Sequence, residues 1–336
     1  MTKTVLIGCG NSGRKIAAEL SDFGADIVGF CDLSIDRAEE LAKKYGGEAY
    51  SDYRKMIAEK TPNAAFVCTP PYCTDEILMF AVHSGISFMT ETPVTRQDGK
   101  GKDIAEKIRE KGITAAVYSE LYYSRLMRVI RGFCKKYQVV QADAEIITPP
   151  PAEFWKRDGD LSGGILTEKG TDILWTALNL FGEIKNVSAV SSRGFVTGIA
   201  DYSTDDCFSA VITFSKNTIL NLTLGSYGSY STADDGLKLK LYAYGKRLEL
   251  SHGEIKVYGE TFDPGKTKKM LHAGEEIPDE VCADCLVYRN DDITPARAFI
   301  NALESGKTDS LKSYSYEDGL RVAELVREIN RKTVRI

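Results

Sequence analysis

The amino-acid sequence predicts an α/β protein: an N-terminal doubly wound parallel sheet followed by a C-terminal α+β domain with a mainly antiparallel sheet. Three observations carry this reading. A short apolar run breaks into Gly8-Cys9-Gly10-Asn11-Ser12-Gly13, a Gly-x-Gly-x-x-Gly loop, and a helical pattern follows it. Strand-like and helix-like segments then alternate over the first 120 residues. Near residue 121 the pattern changes to closely spaced alternating runs joined by short turns.

Val5, Leu6 and Ile7 form a β-branched-rich run bounded by Gly8, as a buried parallel strand requires. Ile16, Ala17 and Leu20 recur at helical spacing, and a second apolar run, 27–31, ends at Asp32. A strand before the loop, a helix after it and an acid about 20 positions on are the context that makes such a loop a dinucleotide site. Gly8 permits the tight turn, Gly10 lets a pyrophosphate approach the backbone, and Gly13 lets helix and strand pack closely. Backbone amides at the helix start, around Asn11 and Ser12, face the anion. Asp32 accepts hydrogen bonds from a ribose 2′-hydroxyl and repels a 2′-phosphate. The expected cofactor is therefore NAD, with Arg14 and Arg37 leaving NADP open.

Further strands are expected at 64–68, 86–90 and 113–117. Amphipathic segments at 13–20, 35–45, 74–83 and 98–111 complete βαβ units and a parallel sheet. Right-handed crossovers place the ligand at the carboxyl edge of that sheet. Thr69-Pro70-Pro71 follows the 64–68 strand on this edge. It either shapes the wall beside a nicotinamide or starts a loop.

Beyond residue 121 a helix is expected through 124–136, then strands at 138–148, 184–196, 206–214, 218–227, 236–244, 247–251 and 254–259. Leu237, Leu239 and Leu241 alternate with Lys238, Lys240 and Tyr242, giving one apolar and one wetter face. Gly245-Lys246 and His252-Gly253 are hairpin signals, which imply antiparallel pairing. Two helical patterns, 294–304 and 316–332, close the chain. The expected division is a nucleotide-binding domain at 1–120 and a substrate and oligomerisation domain at 121–336, whose closing helices are able to pack back on the first.

Composition narrows the function classes. A length of 336 residues allows two domains with their own cores. Lys plus Arg is 43 against 48 for Asp plus Glu, a net charge of −5, so no basic excess exists to neutralise nucleic-acid phosphates. No apolar run approaches the roughly 18 residues that span a bilayer. The first strand begins at once, leaving no room for a signal peptide, so the expectation is a cytoplasmic protein without a membrane partner. The eight cysteines are scattered, mostly in apolar runs where they act as small hydrophobes. Cys282-Ala-Asp-Cys285 lacks the second ligand pair a zinc site needs, and no metal is expected.

The motifs resemble those of the glucose–fructose oxidoreductase / inositol dehydrogenase / MocA-like family. The resemblance rests on Gly8 to Gly13, on Cys31-Asp32-Leu33-Ser34 followed by Arg37 to Gly46, and on Thr69-Pro70-Pro71. It continues through Glu91-Thr92-Pro93 and Gly163-Gly164-Ile165-Leu166-Thr167-Glu168-Lys169-Gly170, and covers essentially the whole chain. It implies a Rossmann domain followed by a large open sheet that covers the active site and often mediates oligomerisation. It also implies an NAD or NADP cofactor, with Thr69, Pro70, Glu91 and Pro93 beside it, and oxidation of a hydroxyl or reduction of a ketone on a sugar or cyclitol. An exposed sheet face needs covering, so a homodimer or homotetramer is expected.

The departures bear on the chemistry. The family's Glu-Lys-Pro reads Glu91-Thr92-Pro93, without the lysine. In the later motif Glu168 replaces an Asp, Asp172 a His and Trp175 an Asp. The chain has three histidines, His83, His252 and His272, and none neighbours a motif. Proton transfer must then use other groups. If their segment is helical, Glu168 and Asp172 share a face. Two close carboxylates raise one pKa and supply an acid; the bland alternative is an acid-rich helix start favoured by the macrodipole. Lys169 would point away from that face. Lys156, in the loop-like stretch Phe154-Trp155-Lys156-Arg157, either restores a cation or is merely solvated. Tyr118, Tyr122 and Tyr123 follow the 113–117 strand, and a tyrosine there donates a proton or simply packs.

The candidate catalytic set is Asp172, Glu168, Thr92 and Tyr122. The expected function is an NAD(P)-dependent oxidoreductase that transfers a hydride to or from a small substrate, sugar-like or carrying a C=N or C=C bond. Two readings compete with it. One is an enzyme that cycles bound NAD for net hydrolysis or elimination; the other is a non-catalytic NAD- or ligand-binding homologue.

Overall fold

The computed structural model describes every residue except 1, 230–235, 291–293, 309–310 and 312–313. It divides the chain into two units. One joins Met1–Glu120 to Ile293–Glu324, and the other joins Leu121–Asp292 to Leu325–Ile336.

The first unit alternates strand and helix: β1 (Lys3–Ile7), α1 (Asn11–Asp22), β2 (Asp26–Cys31), α2 (Ile35–Tyr45), β3 (Glu48–Tyr50), α3 (Tyr53–Lys60), β4 (Ala64–Val67), α4 (Pro71–His83), β5 (Ser87–Thr90), α5 (Asp98–Lys111) and β6 (Ala115–Val117). The strands pair in parallel in the order β3-β2-β1-β4-β5-β6, the doubly wound arrangement with its switch point beside β1. Val5, Leu6, Phe66 and Phe88 are fully buried, because helices cover both faces and each central strand is apolar throughout. The β3–α3 unit is absent from the expectations. Three residues, Glu-Ala-Tyr, are too few to show a strand period.

The chain continues with α6 (Glu120–Tyr123), α7 (Arg125–Lys136), β7 (Gln141–Ile147), α8 (Phe154–Arg157), α9 (Gly159–Ser162), a π-helical turn (Leu166–Gly170) and α10 (Thr171–Phe181). Then follow β8 (Ile184–Ser192), β9 (Cys207–Phe214), β10 (Ile219–Gly225), β11 (Lys238–Ala243), β12 (Lys246–Ser251), β13 (Glu254–Tyr258), α11 (Thr267–His272), β14 (Glu280–Val281), β15 (Cys285–Arg289), α12 (Pro295–Ser305), α13 (Tyr316–Lys332) and β16 (Val334–Arg335). In the first unit the ring of Phe299, on α12, meets Phe66 edge-on at 5.6 Å, and Tyr316, at the start of α13, meets Phe88 at 5.9 Å.

The second unit holds a ten-stranded sheet in the order β14-β15-β13-β12-β11-β7-β10-β9-β8-β16. It is antiparallel except where β7 meets β10 and β8 meets β16. Leu220, Leu222, Leu224, Leu239, Leu241, Leu248 and Leu250 are buried, one residue in two, so one face is apolar. Phe181 of α10 packs edge-on against Phe214 of β9 at 5.6 Å. The opposite face is wetter. Asn221 donates to Asp143 at 2.7 Å, and Lys238 lies 3.3 Å from Glu145, while Val190, Val211 and Ile219 stay exposed. The hairpin signals are met: Gly245 has φ +67°, and His252 and Gly253 have φ +50° and +70°.

Local differences have local causes. The 124–136 helix starts at Arg125, after the separate turn α6, because the Ser124 hydroxyl caps it by accepting the Met127 amide at 3.2 Å. The stretch 154–157 is a helical turn rather than a loop. His272 ends α11 instead of lying in a turn, and its ring nitrogen reaches the Lys268 carbonyl at 2.7 Å. β15 was not anticipated, since residues 285–288 are buried on both sides and show no alternation. No helix among the described residues is long and apolar enough to cross a membrane.

Candidate cofactor and proton-transfer sites

The glycine loop joins β1 to α1. Gly8 has φ +97°, and a Cβ there would lie 2.5 Å from the Cys68 carbonyl oxygen, so both backbone and space demand glycine. A Cβ on Gly13 would lie 1.9 Å from the Gly8 carbonyl oxygen, which fixes helix against strand. Gly10 differs: a Cβ there meets nothing within 4 Å. The space beside Gly10 is open, as a cradle for a bound group requires. The residue before α1 makes no side-chain cap, and the first turn carries no acid. The amides at Asn11, Ser12 and Gly13 therefore keep the partial positive charge that binds phosphates.

Asp32 follows β2 with its side chain 10% exposed. Its Oδ2 accepts the Cys9 amide at 2.8 Å, and its Oδ1 accepts the Ser34 amide at 2.9 Å. The carboxylate is thus locked in place and still has lone pairs for a ribose. Arg37 lies 3.4 Å from Asp32 Oδ1, and Arg14 is bound by Glu40. That ion pair holds the exposed Glu40 carboxyl below its ordinary range. Both cations that left NADP open are paired with carboxylates. Burial, with Asp32 next, pushes the Cys9 thiol up to about 12, and burial with Asp32 does the same for Cys31.

Two more segments end at the same carboxyl edge. Thr69 follows β4, and its hydroxyl lies 3.0 Å from that of Thr74; Pro70 precedes α4 and accepts the Thr74 hydroxyl through its carbonyl at 3.0 Å. Glu91, Thr92 and Pro93 follow β5, the first two half-buried and Pro93 buried, with a cis Thr92–Pro93 peptide. Tyr118, after β6, donates to Glu19 of α1 at 2.5 Å. Burial raises Tyr118 strongly and also raises Glu19. No cation lowers Tyr118, so it behaves as a neutral donor to Glu19. A separate cleft of about 800 Å³, lined by Thr2, Asp26, Asn63, Ser87 and Glu304, opens at the amino ends of the strands, the edge opposite the glycine loop.

In the second unit Gly163 and Gly164, with φ +83° and +90°, lead into the π-helical turn that carries Glu168 and Lys169. Asp172 lies in the first turn of α10, half-buried. The expected regular helix is interrupted, because the wider turn changes the offset between Glu168 and Asp172 from that of an α-helix. Such turns recur at functional sites. Lys156 Nζ lies 3.0 Å from Glu168 Oε1 and 5.4 Å from the Trp155 ring centroid. Lys169 does turn elsewhere: its ammonium donates to Thr148 Oγ1 and the Gly225 carbonyl at 2.6 Å and to Ser226 Oγ at 2.9 Å. Trp175 is buried.

The described contacts of Tyr122 are aromatic. It is buried, its ring meets Tyr123 edge-on at 5.1 Å, and the Arg131 guanidinium sits 4.3 Å from its centroid. This is a packing environment. The Lys156–Glu168 pair was open in the sequence, because the residues are twelve apart with no shared period. The helical turn α8 carries Lys156 and the π-helical turn carries Glu168.

Comparison with known proteins agrees with this geometry. Residues 2–119 match a family described as "Oxidoreductase family, NAD-binding Rossmann fold", and residues 138–329 match its "C-terminal alpha/beta domain". The chain is 25% identical over 113 residues to D-glucoside 3-dehydrogenase of Escherichia coli (strain K12), covering 33% of this chain and 32% of that protein. It is 25% identical over 132 residues to glucose-6-phosphate 3-dehydrogenase of Bacillus subtilis (strain 168), covering 38% and 37%. These matches span about a third of each relative's length. Among solved structures, UDP-N-acetylglucosamine 3-dehydrogenase GnnA from Acidithiobacillus ferrooxidans superposes with a TM-score of 0.74 at 16% identity, over 99% of this chain and 97% of that one. KijD10, a 3-ketoreductase from Actinomadura kijaniata in complex with NADP and TDP-benzene, gives 0.78 at 18% identity over 100% and 98%. At these identities the structures show a shared fold.

Proposed function

Because the chain belongs to the GFO_IDH_MocA oxidoreductase family and carries its NAD-binding Rossmann domain, we propose that it is an NAD-dependent dehydrogenase of a sugar-like substrate, oxidising a secondary hydroxyl or reducing the corresponding ketone. The observation that carries this reading is the cradle at Gly10: open where a pyrophosphate would lie, closed at Gly8 and Gly13, and flanked by a fixed Asp32. Bound there, the nicotinamide supplies hydride acceptance or donation. Gly10, Asn11, Ser12 and Gly13 hold the phosphates and Asp32 the adenosine ribose, with Thr69, Pro70, Glu91 and Pro93 along the same edge. The relatives named above are sugar 3-dehydrogenases, which favours a sugar over an imine or a conjugated alkene.

The chain's own residues must move the proton. In oxidation, Asp172 takes the proton of the substrate hydroxyl as the C–H bond gives up its hydride; in reduction, it returns that proton to the carbonyl oxygen. Glu168, held by Lys156, is the second carboxylate of the same motif. Tyr122 has no part in this scheme. The test is NADH formation from a panel of sugars, sugar phosphates and uronic acids, followed by Asp172→Asn. Turnover that falls at least about a hundredfold in the variant supports the scheme. NAD binding without turnover of any sugar would indicate the non-catalytic homologue instead.

A further inference from the structure

Arg157 ends α8, next to Lys156, and is half-buried, with its Nε fully so. Among the described residues no carboxylate pairs with it, and its buried Nε has no hydrogen-bond acceptor. A guanidinium cannot shed its charge in a protein, so a partly buried one without a partner is destabilising. Carboxylates of the neighbouring segments hold other groups, while Asp206 Oδ1 is buried without a hydrogen-bond partner. The Ser203 and Thr204 amides donate to the Arg157 carbonyl at 2.9 and 3.1 Å, which brings the 203–206 segment alongside. In that segment Asp205 lies 3.5 Å from Arg335, and Asp206 Oδ2 accepts three amides, those of Gly194, Phe195 and Val196, at 2.8–3.0 Å. Asp158 caps α9 through the Asp160 and Leu161 amides at 2.8 and 3.0 Å, and Glu168 holds Lys156.

We propose that Arg157 binds an anionic substituent of the substrate, a carboxylate or a phosphate, so that the preferred substrate is an acidic or phosphorylated sugar rather than a neutral one. The assignment rests on the sugar-dehydrogenase reading above. A planar guanidinium meets either anion with two parallel hydrogen bonds. Its neighbour Lys156 touches the candidate proton-transfer carboxylate Glu168, so an anion held by Arg157 lies beside that chemistry. The half-exposed Phe154 ring of the same helical turn offers apolar surface for the C–H face of a sugar.

The test is titration calorimetry on the full chain saturated with NAD, using D-glucose, D-glucuronate and D-glucose 6-phosphate against wild type, Arg157→Gln and Arg157→Lys. Wild type is expected to bind one of the two anionic sugars about ten- to a hundredfold more tightly than glucose, the range of a charged hydrogen-bonded contact. Which of the two is favoured separates carboxylate from phosphate. Arg157→Gln loses that preference, Arg157→Lys keeps part of it, and glucose binds equally to all three. Failure of both anions to bind more tightly than glucose, or a preference that survives in Arg157→Gln, overturns the assignment. If Arg157→Gln does not fold, loss of part of the preference in Arg157→Lys supports the assignment and an unchanged preference overturns it. NADH formed from neutral sugars alone would leave the dehydrogenase reading standing and remove this one. Arg157-dependent binding of an anionic sugar without NADH formation would do the reverse.

Discussion

The Lys156 ammonium lies 3.0 Å from the Glu168 carboxylate, which joins a one-turn helix to the π-helical turn of the later glycine motif. The side chains are 29% and 19% exposed, so solvent screens the pair, and it contributes about 1 kcal/mol or less to stability. Lys156→Met should therefore shift the melting temperature by only a few degrees. If the pair organises the proton-transfer group, kcat/KM falls about tenfold or more while Lys156→Arg restores most of it. A melting loss without a kinetic effect would leave the pair a structural one.

Gly10 and Gly13 separate binding from folding. Gly13→Ala places a methyl 1.9 Å from the Gly8 carbonyl oxygen and is expected to destabilise by about 1–3 kcal/mol. Gly10→Ala meets only open space and should melt like wild type, yet lose NAD affinity, because the methyl fills the cradle. Thermal melts of the cofactor-free variants with NAD titrations check both halves; equal affinity in Gly10→Ala would contradict a pyrophosphate at this position.

If Asp32 holds the adenosine ribose as proposed, replacing it changes the choice of nucleotide. Asp32→Asn keeps an oxygen for the Cys9 amide, removes the negative charge, and releases Arg37. The ratio of NADP to NAD affinity should rise about tenfold or more, and adding Glu40→Gln should raise it further by freeing Arg14. Fluorescence titration with the reduced nucleotides measures the ratio, and an unchanged ratio would move the ribose away from Asp32.

Glu19 gives the first unit a pH dependence. Burial raises its carboxyl above the ordinary value of 4.5, although the Tyr118 hydroxyl bonded to it pulls the other way. The folded state then holds this proton to higher pH than the unfolded chain does. The associated stability is fully present below 4.5 and is lost as pH rises through the raised folded value. Glu19→Gln should consequently gain stability relative to wild type as pH climbs toward neutrality, with the difference vanishing in acid. Urea unfolding at several pH values tests this, and a difference that grows toward acid would reverse the sign.

Much of the first unit was legible because its requirements are local. Gly8, Gly13 and Asp32 answer to backbone angles, close packing and the length of one βαβ step, all of which short sequence spacing records. The hairpins at Gly245 and His252 are likewise set by a few residues. The three-residue β3 was not legible, because a period needs more length, and β15 was hidden by burial on both sides.

By itself the sequence determined that a dinucleotide loop precedes an antiparallel α+β domain, and that the expected lysine and histidine are missing from the motifs. Those facts depend on residue type and near-neighbour spacing. Only the tertiary structure decided that Phe299 and Tyr316 pack with Phe66 and Phe88, that Lys156 reaches Glu168, that Lys169 is held by Thr148, Gly225 and Ser226, and that the buried Arg157 Nε has no hydrogen-bond partner among the described residues. These relations join residues far apart in the chain. They arise from how buried aromatic rings and charged groups find partners once the backbone is folded, and no periodicity in the sequence encodes that choice.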